Sequence, residues 1–467
     1  MSQTPPERDD TDAWLPEVQP ESYGISPELV RSVAEALEED KPAEARELAG
    51  ELHEADLADL LENLDRDERP QLIKALGSDF DLEVLTYLDD SVREEVVEAL
   101  EPKHIASSLS ELDSDDAVDI IEDLDEEAQQ RVLEALPRAE RLVLEESLSF
   151  PEDSAGRLMQ RELLAVPSSW TVGETIDYMR ASKDLPDDFY DLYIVDPKHQ
   201  PIGFVPLSRA MRTRRPVLLT DIMNEDMRTI PVTMDQEEVA YLFRQYGLVS
   251  APVVDDAGRL VGVVTVDDVV HIIDEEAEED LLKLAGVQET DLYSAVLDTT
   301  KARFSWLLIN LFTAVAASVV IGLFEGTLQQ IVALAVLMPI VASMGGNAGT
   351  QTLTVAVRAI AMRDLSPGNA LRFVSKELLV GLANGILFAI VAGAVAWFWF
   401  ETPMIGAIIG AAMIINMVVA ALSGALVPLG LEKVGVDPAV ASSVVLTTVT
   451  DVIGFFAFLG LATIFLL

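Results

Sequence analysis

Five long apolar segments occupy the last third of the 467-residue chain. Each is long enough to cross the hydrocarbon core of a bilayer as an α-helix, which needs about 20 mostly apolar residues. The segments are residues 304–324, 329–358, 371–400, 403–431 and 438–467. The pattern therefore predicts a membrane domain of five helices.

The middle of the chain alternates β-rich runs with helical patterns. A helix and two short strands, each bounded by Asp, Pro or Gly, occur twice in the same order. They are predicted at residues 172–180, 192–195 and 201–205, and again at 236–246, 251–254 and 260–266. This repetition indicates two similar α/β modules.

The first third contains a repeat of 24 residues. Leucines align at this period as Leu61, Leu85 and Leu109, as Leu64, Leu88 and Leu112, and as Leu76, Leu100 and Leu124. Apolar residues within each copy follow helical spacing, and an Asp after the second Leu is a candidate N-cap for the next helix. Stacked helix pairs of this length predict a small α-helical solenoid.

Charge separates the chain into two parts. The net charge is −48, but residues 301–467 carry seven basic and seven acidic groups, so the whole excess lies in residues 1–300. This acidity argues against nucleic acid as a partner, because phosphates need Lys and Arg. It favours cations, although a halophile-like hydrated surface would give the same composition. Without cysteine, Cys-type metal sites and thiolate catalysis are excluded.

Basic residues near the predicted membrane helices predict their orientation. They all precede the first helix or lie in the second and fourth connections, and they are Lys301, Arg303, Arg358, Arg363, Arg372, Lys376 and Lys433. The first and third connections carry only Glu325 and Glu401. By the positive-inside rule the N-terminus is cytoplasmic and the C-terminus outside, in a multi-pass protein of the plasma membrane. The start of the chain has no apolar signal segment, which agrees with this topology.

Asp451 is the carboxylate that we expect deepest in a membrane helix, and the pattern indicates that it is the only one. A charge there costs at least about 2.5–3.5 kcal/mol and normally faces an ion path or a partner. The membrane helices offer no interior Lys, Arg or His as a partner. Thr447, Thr448 and Thr450 add oxygens nearby, so a bound cation is the expected counter-charge.

A second polar stretch, MPIVASMGGNAGTQ at residues 338–351, interrupts the second membrane helix. Gly345 and Gly346 permit close backbone approach or local unwinding, and Asn347 and Gln351 share a helix face because they are four residues apart. Small residues also serve plain helix packing in membranes. Glycines together with amides and threonines favour a polar pathway over packing alone. Oxygen ligands without Cys or His suit a hard cation such as Mg²⁺, but Mn²⁺ and Ca²⁺ remain open alternatives.

The order of these parts resembles the MgtE family of Mg²⁺ channels and transporters, from about residue 26 to residue 467. The specific motifs are EDSAGRLM (152–159), TVDDV (265–269), EEDLLKLAGV (278–287), PIVASMGGNAGTQ (339–351) and TDVIG (450–454). The α/β modules resemble a tandem pair of cystathionine β-synthase (CBS) domains. The implied fold is mainly α, with an N-terminal α-solenoid, an α/β CBS pair and a five-helix transmembrane domain.

The resemblance also implies domain boundaries. They are an acidic leader at residues 1–25, an acidic helical domain at 26–150, the CBS pair at 151–267, a connecting or plug helix at 268–300 and the transmembrane domain at 301–467.

The resemblance implies a homodimer that conducts Mg²⁺ along its two-fold axis. Asp451 would bind hydrated Mg²⁺ in the pore, with Asn347, Gln351, Thr447, Gly345 and Gly346 around it. Cytoplasmic carboxylates would hold Mg²⁺ at high concentration and close the pore; the matching positions are Asp115, Asp119, Asp268, Glu276, Glu279 and Asp280. A solvated acidic face is the alternative for the run at 274–280.

Nucleotide binding by the CBS pair is an open question at this stage. The second module carries the family's ending as Gly262, Thr265 and Asp268, where Thr would take a phosphate and Asp the ribose of ATP. The first module has Pro206 and Arg209 at the Thr and Asp positions. A purely structural pair is therefore the competing interpretation.

Two other function classes compete with transport. A membrane-tethered sensor of Mg²⁺ or nucleotide fits the first 300 residues but leaves Asp451 unexplained. An enzyme is not expected, because the chain has neither an H-E-x-x-H zinc motif nor a Ser/His pair. A channel and an ion-coupled carrier cannot be separated from the sequence.

Overall fold

The computed structural model describes residues 24–100, 102–109, 112–122, 124, 126–182, 185–186, 189–287, 296–366 and 368–467. The predicted leader at residues 1–25 therefore lies almost wholly outside the described residues. The chain divides into two compact units, an N-terminal unit of residues 1–272 and a C-terminal unit of residues 273–467.

Among the described residues, the N-terminal unit begins with nine short α-helices. They are α1 (Pro27–Glu38), α2 (Pro42–Ala49), α3 (Glu54–Asn63), α4 (Arg69–Leu76), α5 (Asp90–Ala99), α6 (Pro102–Leu109), α7 (Ser114–Glu122), α8 (Glu126–Ala135) and α9 (Arg138–Ser147). The repeated leucines form its core, since Leu61, Leu85 and Leu109 are all at most 3% exposed. Leu85 belongs to a 3₁₀ helix (Leu82–Tyr87) rather than an α-helix. The helical prediction for this region is thus confirmed, with 3₁₀ segments that the periodicity alone could not distinguish.

The Asp predicted to cap each repeat does so in one copy and not in another. Asp89 caps α5, because its side chain accepts a hydrogen bond from the Ser91 N–H at 3.1 Å. In the preceding repeat α4 starts after Glu68, which makes no side-chain cap bond, and Asp65 lies outside the helix. The extra residues before Arg69 move the helix start away from the aspartate.

Two three-stranded sheets follow, one in each α/β module. The helices and strands of the two modules are α10 (Ala155–Leu158), β1 (Ala165–Pro167), α11 (Val172–Ala181), β2 (Asp191–Val195), β3 (Pro201–Pro206), α12 (Leu207–Arg212), β4 (Ile230–Pro231), α13 (Gln236–Tyr246), β5 (Ser250–Val254) and β6 (Leu260–Thr265). The sheet orders are β1-β2-β3 and β4-β5-β6, each with one parallel and one antiparallel pair. Gly203 pairs with Ile194 and Gly262 with Val253, so the modules share a register. The predicted repetition is confirmed.

The C-terminal unit is built from long helices. They are α15 (Val296–Gly322), the short α16 (Glu325–Gln330), α17 (Val332–Ala361), α18 (Ala370–Phe400), α19 (Pro403–Lys433) and α20 (Pro438–Leu466). Helix α14 (Val266–Ala285) runs from the end of the N-terminal unit into the beginning of this one. Among the described residues, five of these helices (α15 and α17 to α20) are long and apolar enough to cross a membrane. This agrees with the five predicted spans.

Helix α19 is the most buried of the spanning helices, and it packs against α17, α18 and α20. Small residues make this close packing possible. A Cβ on Gly424 would lie 2.6 Å from the Gly349 carbonyl oxygen of α17. Helix α17 itself is continuous through Pro339 and the glycines and is not unwound there. Gly349 lies at the close contact with α19.

Candidate functional site

Asp451 lies midway along α20, a helix of 29 residues that is otherwise strongly apolar. Its side chain is half-buried. Among the described residues no charged side chain and no hydrogen-bond donor acts on this carboxylate. A buried charge without a protein partner requires compensation from elsewhere, and water or a cation can supply it.

The threonines near Asp451 direct their hydroxyl hydrogens to their own helix. Thr447 donates to the Ser443 carbonyl at 2.9 Å, Thr448 to Val444 at 2.7 Å, and Thr450 to Thr447 at 3.1 Å. Their oxygen lone pairs stay available as acceptors. Thr447 is exposed and stands one turn before Asp451, whereas Thr450 is fully buried. Thr447 is therefore the better placed of the three to face a passing ion.

The polar residues of α17 separate into two groups. Asn347 and Gln351 are exposed on the same face, as their spacing predicts, and a Cβ on Gly346 would meet nothing within 4 Å. Gly345 is buried against α19, where an added Cβ would lie 2.8 Å from Asn416 Cγ. The open face of α17 thus carries Asn347, Gly346 and Gln351, while Gly345 contributes to packing.

Asn416 is a buried polar residue that the sequence analysis missed. Its amide nitrogen donates to the Val341 carbonyl of α17 at 2.8 Å, and it is wholly buried. On the other side an added Cβ on Gly454 of α20 would lie 3.0 Å from its Oδ1. Oδ1 has no hydrogen-bond partner among the described residues. An Asn within an apolar run was a readable signal, and it marks the point where α17, α19 and α20 meet.

Glu377 is a second carboxylate within a membrane helix, in addition to Asp451. It lies two turns into α18 and is only 7% exposed. Its Oε2 accepts a hydrogen bond from the Thr352 hydroxyl of α17 at 3.2 Å. The sequence analysis overlooked it because neighbouring Lys376 makes this stretch resemble a membrane boundary.

Three aspartates of the N-terminal unit influence one another electrostatically. Asp115 and Asp116 open helix α7, and Asp268 lies in the first turn of α14. We refer to Asp115, Asp116 and Asp268 as the α7–α14 cluster. Burial, and then the charge of Asp268, raise the pKa of Asp115 well above its usual value and that of Asp116 to about 7. Burial also raises the pKa of Asp268 to about 6, although the Thr265 hydroxyl donates to its Oδ2 at 2.8 Å.

Asp119, on the same helix as Asp115, has a protein partner. The guanidinium of buried Arg93 on α5 donates to Asp119 Oδ2 at 2.8 Å. Half of the Asp119 side chain remains exposed. The structure therefore gives Asp119 a cation of its own, unlike Asp115 and Asp116.

A second acidic group surrounds Lys283 in the C-terminal unit. Lys283 Nζ pairs with Glu279 on α14 and, at 2.9 Å, with Asp437 Oδ2 at the start of α20. Burial, and then the charge of Asp437, raise the pKa of the adjacent Asp280. We refer to Glu279, Asp280, Lys283 and Asp437 as the Lys283 cluster; Glu276 lies one turn earlier on α14. Asp437 was missed as a site residue because its approach to α14 is a long-range contact.

The proposed nucleotide residues Thr265 and Asp268 are joined to each other by the hydrogen bond just described. A cavity of about 110 Å³ reaches Thr265 and is also lined by Asp191, Tyr193 and Ser250. Ser250 Oγ donates to Asp191 Oδ2 at 2.7 Å. Ligand pockets usually measure about 300–1,000 Å³, so this cavity is small for a nucleotide.

Arg209 of the first module contacts the segment that leads into the second module. The guanidinium donates to the Ile222 carbonyl at 2.9 Å and to Asn224 Oδ1 at 2.7 Å. This arginine stands where a ribose-binding Asp was expected.

The acidic groups suit a cation that keeps its water shell. Within the described residues no three His, Asp or Glu side chains are close enough to hold a bare metal ion between them. Mg²⁺ dehydrates reluctantly and is commonly held through one or two carboxylates while retaining several waters.

Family profiles match three parts of the chain. Residues 338–461 match a family described as a divalent cation transporter, residues 52–153 the MgtE intracellular N domain, and residues 219–275 the CBS domain. The first match contains Asp451 and Glu377, and the second contains Asp115 and Asp119.

Individual relatives cover most of the chain. A magnesium transporter MgtE from Thermus thermophilus is 33% identical over 445 residues, 94% of this chain and 98% of its own. One from Enterococcus faecalis is 32% identical over 323 residues, 69% of this chain and 71% of its own. The crystal structure of the cytosolic domain of the Mg²⁺ channel MgtE in complex with ATP is 32% identical, with a TM-score of 0.48, and covers 52% of this chain and 99% of that one.

The predicted resemblance is thereby confirmed along nearly the whole sequence. Five helices that are long and apolar enough to cross a membrane occur in the described residues, after the matches to the MgtE intracellular N domain and the CBS domain. The chain is a multi-pass membrane protein, and it belongs to the MgtE family of magnesium transporters.

Proposed function

We propose that the chain forms a homodimeric, Mg²⁺-selective pathway for Mg²⁺ influx through the plasma membrane. Asp451 is the observation that supports this most strongly, because this carboxylate lies midway along a membrane helix and has no partner in the part of the chain that the structure describes. Asn347 and Gln351 on the open face of α17 supply further oxygens. Two copies of Asp451 on a shared axis would balance a dication, and the other ligands would be water.

A proteoliposome assay tests this proposal. The purified chain is reconstituted with a Mg²⁺-sensitive dye inside the vesicles, and Mg²⁺ is added outside. We expect dye signal to rise faster than in protein-free vesicles, and Ca²⁺ to enter more slowly than Mg²⁺. Equal rates with and without protein would contradict the proposal.

The basic residues support an orientation with the N-terminus inside. Lys301 and Arg303 lie in the first turns of α15, and the other five lie in the connections that follow α17 and α19 or in the adjoining helix ends. Under the positive-inside rule these connections are cytoplasmic. The acidic N-terminal unit would then face the cytoplasm, where it can respond to the internal Mg²⁺ concentration.

Gating is proposed to depend on the two acidic groups and on Glu276. Without a divalent cation, like charges in the α7–α14 cluster repel one another; a bound cation favours the conformation that keeps them together. In the Lys283 cluster an ammonium group already neutralises part of the charge. Closure at high Mg²⁺ would then be a shift of population toward the cation-bound state.

A tethered ammonium should compete with Mg²⁺ in the Lys283 cluster. Lys283→Met removes the positive charge between Glu279 and Asp437. We therefore expect the pathway to close at about ten-fold lower internal Mg²⁺ concentration. Charge-assisted hydrogen bonds contribute about 1.5–3 kcal/mol, and about 1.4 kcal/mol corresponds to a ten-fold change in affinity. Single-channel or flux recordings against internal Mg²⁺ measure the shift. Lys433→Met, at an exposed lysine on α19, is the control and should close as the unchanged chain does.

Stability of the chain should fall with rising pH when divalent cations are removed. The folded α7–α14 cluster holds protons that the unfolded chain releases near pH 4, so its stabilisation is present at low pH and is lost as pH rises through about 6 to 7. We expect the free energy of unfolding to fall by about 2–4 kcal/mol between pH 5 and pH 8. The measurement is the midpoint of the first thermal unfolding transition, which should be lower at pH 8.

Added Mg²⁺ should restore that midpoint more at pH 8 than at pH 5, because deprotonated carboxylates bind cations. Asp116→Asn should flatten the pH profile, whereas Asp256→Asn, at an exposed position, should leave it unchanged. A profile that is equally steep in Asp116→Asn would contradict the assignment of the titrating cluster.

Nucleotide binding by the CBS pair stays a prediction for Thr265 and Asp268. The cavity near Thr265 would have to enlarge to admit ATP, because it measures about 110 Å³. Equilibrium dialysis of the full chain with ATP, with Thr265→Val as the comparison, tests it directly.

A further inference from the structure

A cavity with a mixed polar and apolar lining lies between α17 and α18, beside the open face of α17. It has a volume of about 380 Å³, and its base is formed by Met417 and Ala421 of α19. Close packing creates this base, since an added Cβ on Gly381 would lie 2.9 Å from the Met417 carbonyl oxygen. The cavity belongs entirely to the C-terminal unit.

Five polar side chains line the cavity. Asn347, Gln351 and Thr352 come from α17, and Glu377 and Asn384 from α18. Lipid chains cannot hydrogen-bond to such groups, so polar side chains at membrane depth normally face water or protein. The lining therefore indicates an aqueous pocket connected with the face of α17 that carries Asn347 and Gln351.

Glu377 supplies the charge of this pocket and is not fully neutralised by the protein. Thr352 gives its Oε2 one neutral hydrogen bond. Lys376 Nζ is 3.5 Å from Oε1, but the lysine side chain is 69% exposed while that of Glu377 is 10% exposed. The nearest positive charge thus stands toward solvent, and a buried carboxylate with so loose a pair favours a further cation.

The size and chemistry of the pocket indicate which cation would fit. One water occupies about 30 Å³ of liquid volume, so six waters need about 180 Å³. A carboxylate with three amide oxygens is a donor set for a hard ion. A divalent cation that keeps its first water shell meets both conditions.

We propose that this cavity is a second cation site of the membrane domain, in which Glu377 holds a hydrated divalent cation beside α17. The proposal rests on the proposed transport of Mg²⁺. Asn347 and Gln351 border both the cavity and the open face of α17, so an ion held at Glu377 would stand next to the pathway without depending on Asp451. The competing interpretation is that Glu377 only pins α18 to α17 through Thr352.

Cysteine accessibility can test the site, because the chain contains no cysteine. Ala348→Cys places a thiol on the cavity wall, one turn from Thr352. A positively charged, water-soluble methanethiosulfonate should modify this thiol in proteoliposomes. Mg²⁺ at ten times its dissociation constant should slow the modification about ten-fold.

Three further substitutions, each combined with Ala348→Cys, distinguish a cation site from a purely structural role. Glu377→Gln should abolish Mg²⁺ protection, while Thr352→Val, which removes the hydrogen bond but keeps the carboxylate, should retain it. Glu377→Asp keeps the charge and should retain protection, which covers the case that Glu377→Gln folds poorly. Size-exclusion chromatography of each variant checks its fold.

Asp451→Asn distinguishes failure of this proposal from failure of the proposed function. Protection at Ala348→Cys should survive Asp451→Asn, because the two carboxylates act separately. Absence of aqueous modification, protection that persists in Glu377→Gln, or equal loss of protection in Thr352→Val would each overturn the second site. None of these results would bear on whether Asp451 conducts Mg²⁺.

Discussion

Replacing Asp451 with asparagine is expected to lower the rate of Mg²⁺ entry into proteoliposomes about 100-fold. Removing one partner of a buried charge pair costs about 3 kcal/mol or more. Each 1.4 kcal/mol corresponds to about a ten-fold change. The amide keeps the shape of the side chain but loses the charge that would balance a dication. Asp451 has no protein partner among the described residues, so its loss should leave no uncompensated cation behind. The fold should therefore persist while transport fails.

The matched control is Glu401→Gln, which removes one carboxylate from the same domain. Glu401 lies at the exposed end of α18, outside the spanning part of the helix, and Mg²⁺ entry should change less than two-fold by the small energies of exposed charges. Dye-reported initial rates, normalised to reconstituted protein, give the comparison. Transport by Asp451→Asn at half the normal rate or more would show that the ion is stabilised elsewhere.

Gly345→Ala is expected to destabilise the membrane domain by about 1–3 kcal/mol, the usual cost of overpacking. A Cβ at this position would lie 2.8 Å from Asn416 Cγ and against its amide nitrogen. Asn416 cannot retreat easily, because it is wholly buried and held to the Val341 carbonyl. The thermal midpoint of the detergent-solubilised chain should fall, with a larger aggregated fraction on size exclusion.

The neighbouring glycine provides an unusually close control. Gly346→Ala adds the same methyl group to the same helix, but nothing lies within 4 Å of its Cβ, so the midpoint should not fall. Asn416→Ala in the Gly345→Ala background should recover part of the loss, because it makes room for the new methyl group. Equal thermal midpoints for Gly345→Ala and Gly346→Ala would contradict this prediction, because they would show that α17 and α19 can move apart without loss of stability.

The membrane helices and the repeated leucines could be predicted from sequence because both signals are local. A run of about 20 apolar residues identifies a span without reference to its neighbours. Asp451 was equally readable, since a single charge stands out in an apolar run. The spacing of Asn347 and Gln351 correctly placed both on one exposed face of α17.

Glu377 and Asp437 could not be recognised in the same way. Glu377 stands near the start of its apolar segment beside Lys376, where charges are ordinary, and it is buried only when α18 packs against its neighbouring helices. Asp437 becomes part of a cluster because Lys283, more than 150 residues earlier, packs against the start of α20. Such tertiary contacts have no counterpart in local periodicity.

The glycines of α17 show why residue type alone does not assign a role. Gly345 and Gly346 are adjacent in sequence and equivalent in composition, yet a 100° turn of the helix places one against Asn416 and leaves the other open. The position of α19 determines which of the two glycines packs against a neighbouring helix and which faces the open side of α17.

The continuity of α20 has a mechanical consequence. Asp437 caps this helix by accepting a hydrogen bond from the Ala439 N–H at 2.8 Å, and it also pairs with Lys283. The helix then runs unbroken past Asp451, about 20 Å away at 1.5 Å per residue. Because α20 is continuous, it would move as a rigid rod when its capped end tilts. A change of ionic partner at Asp437 could therefore displace the Asp451 carboxylate without a relay of side chains between them.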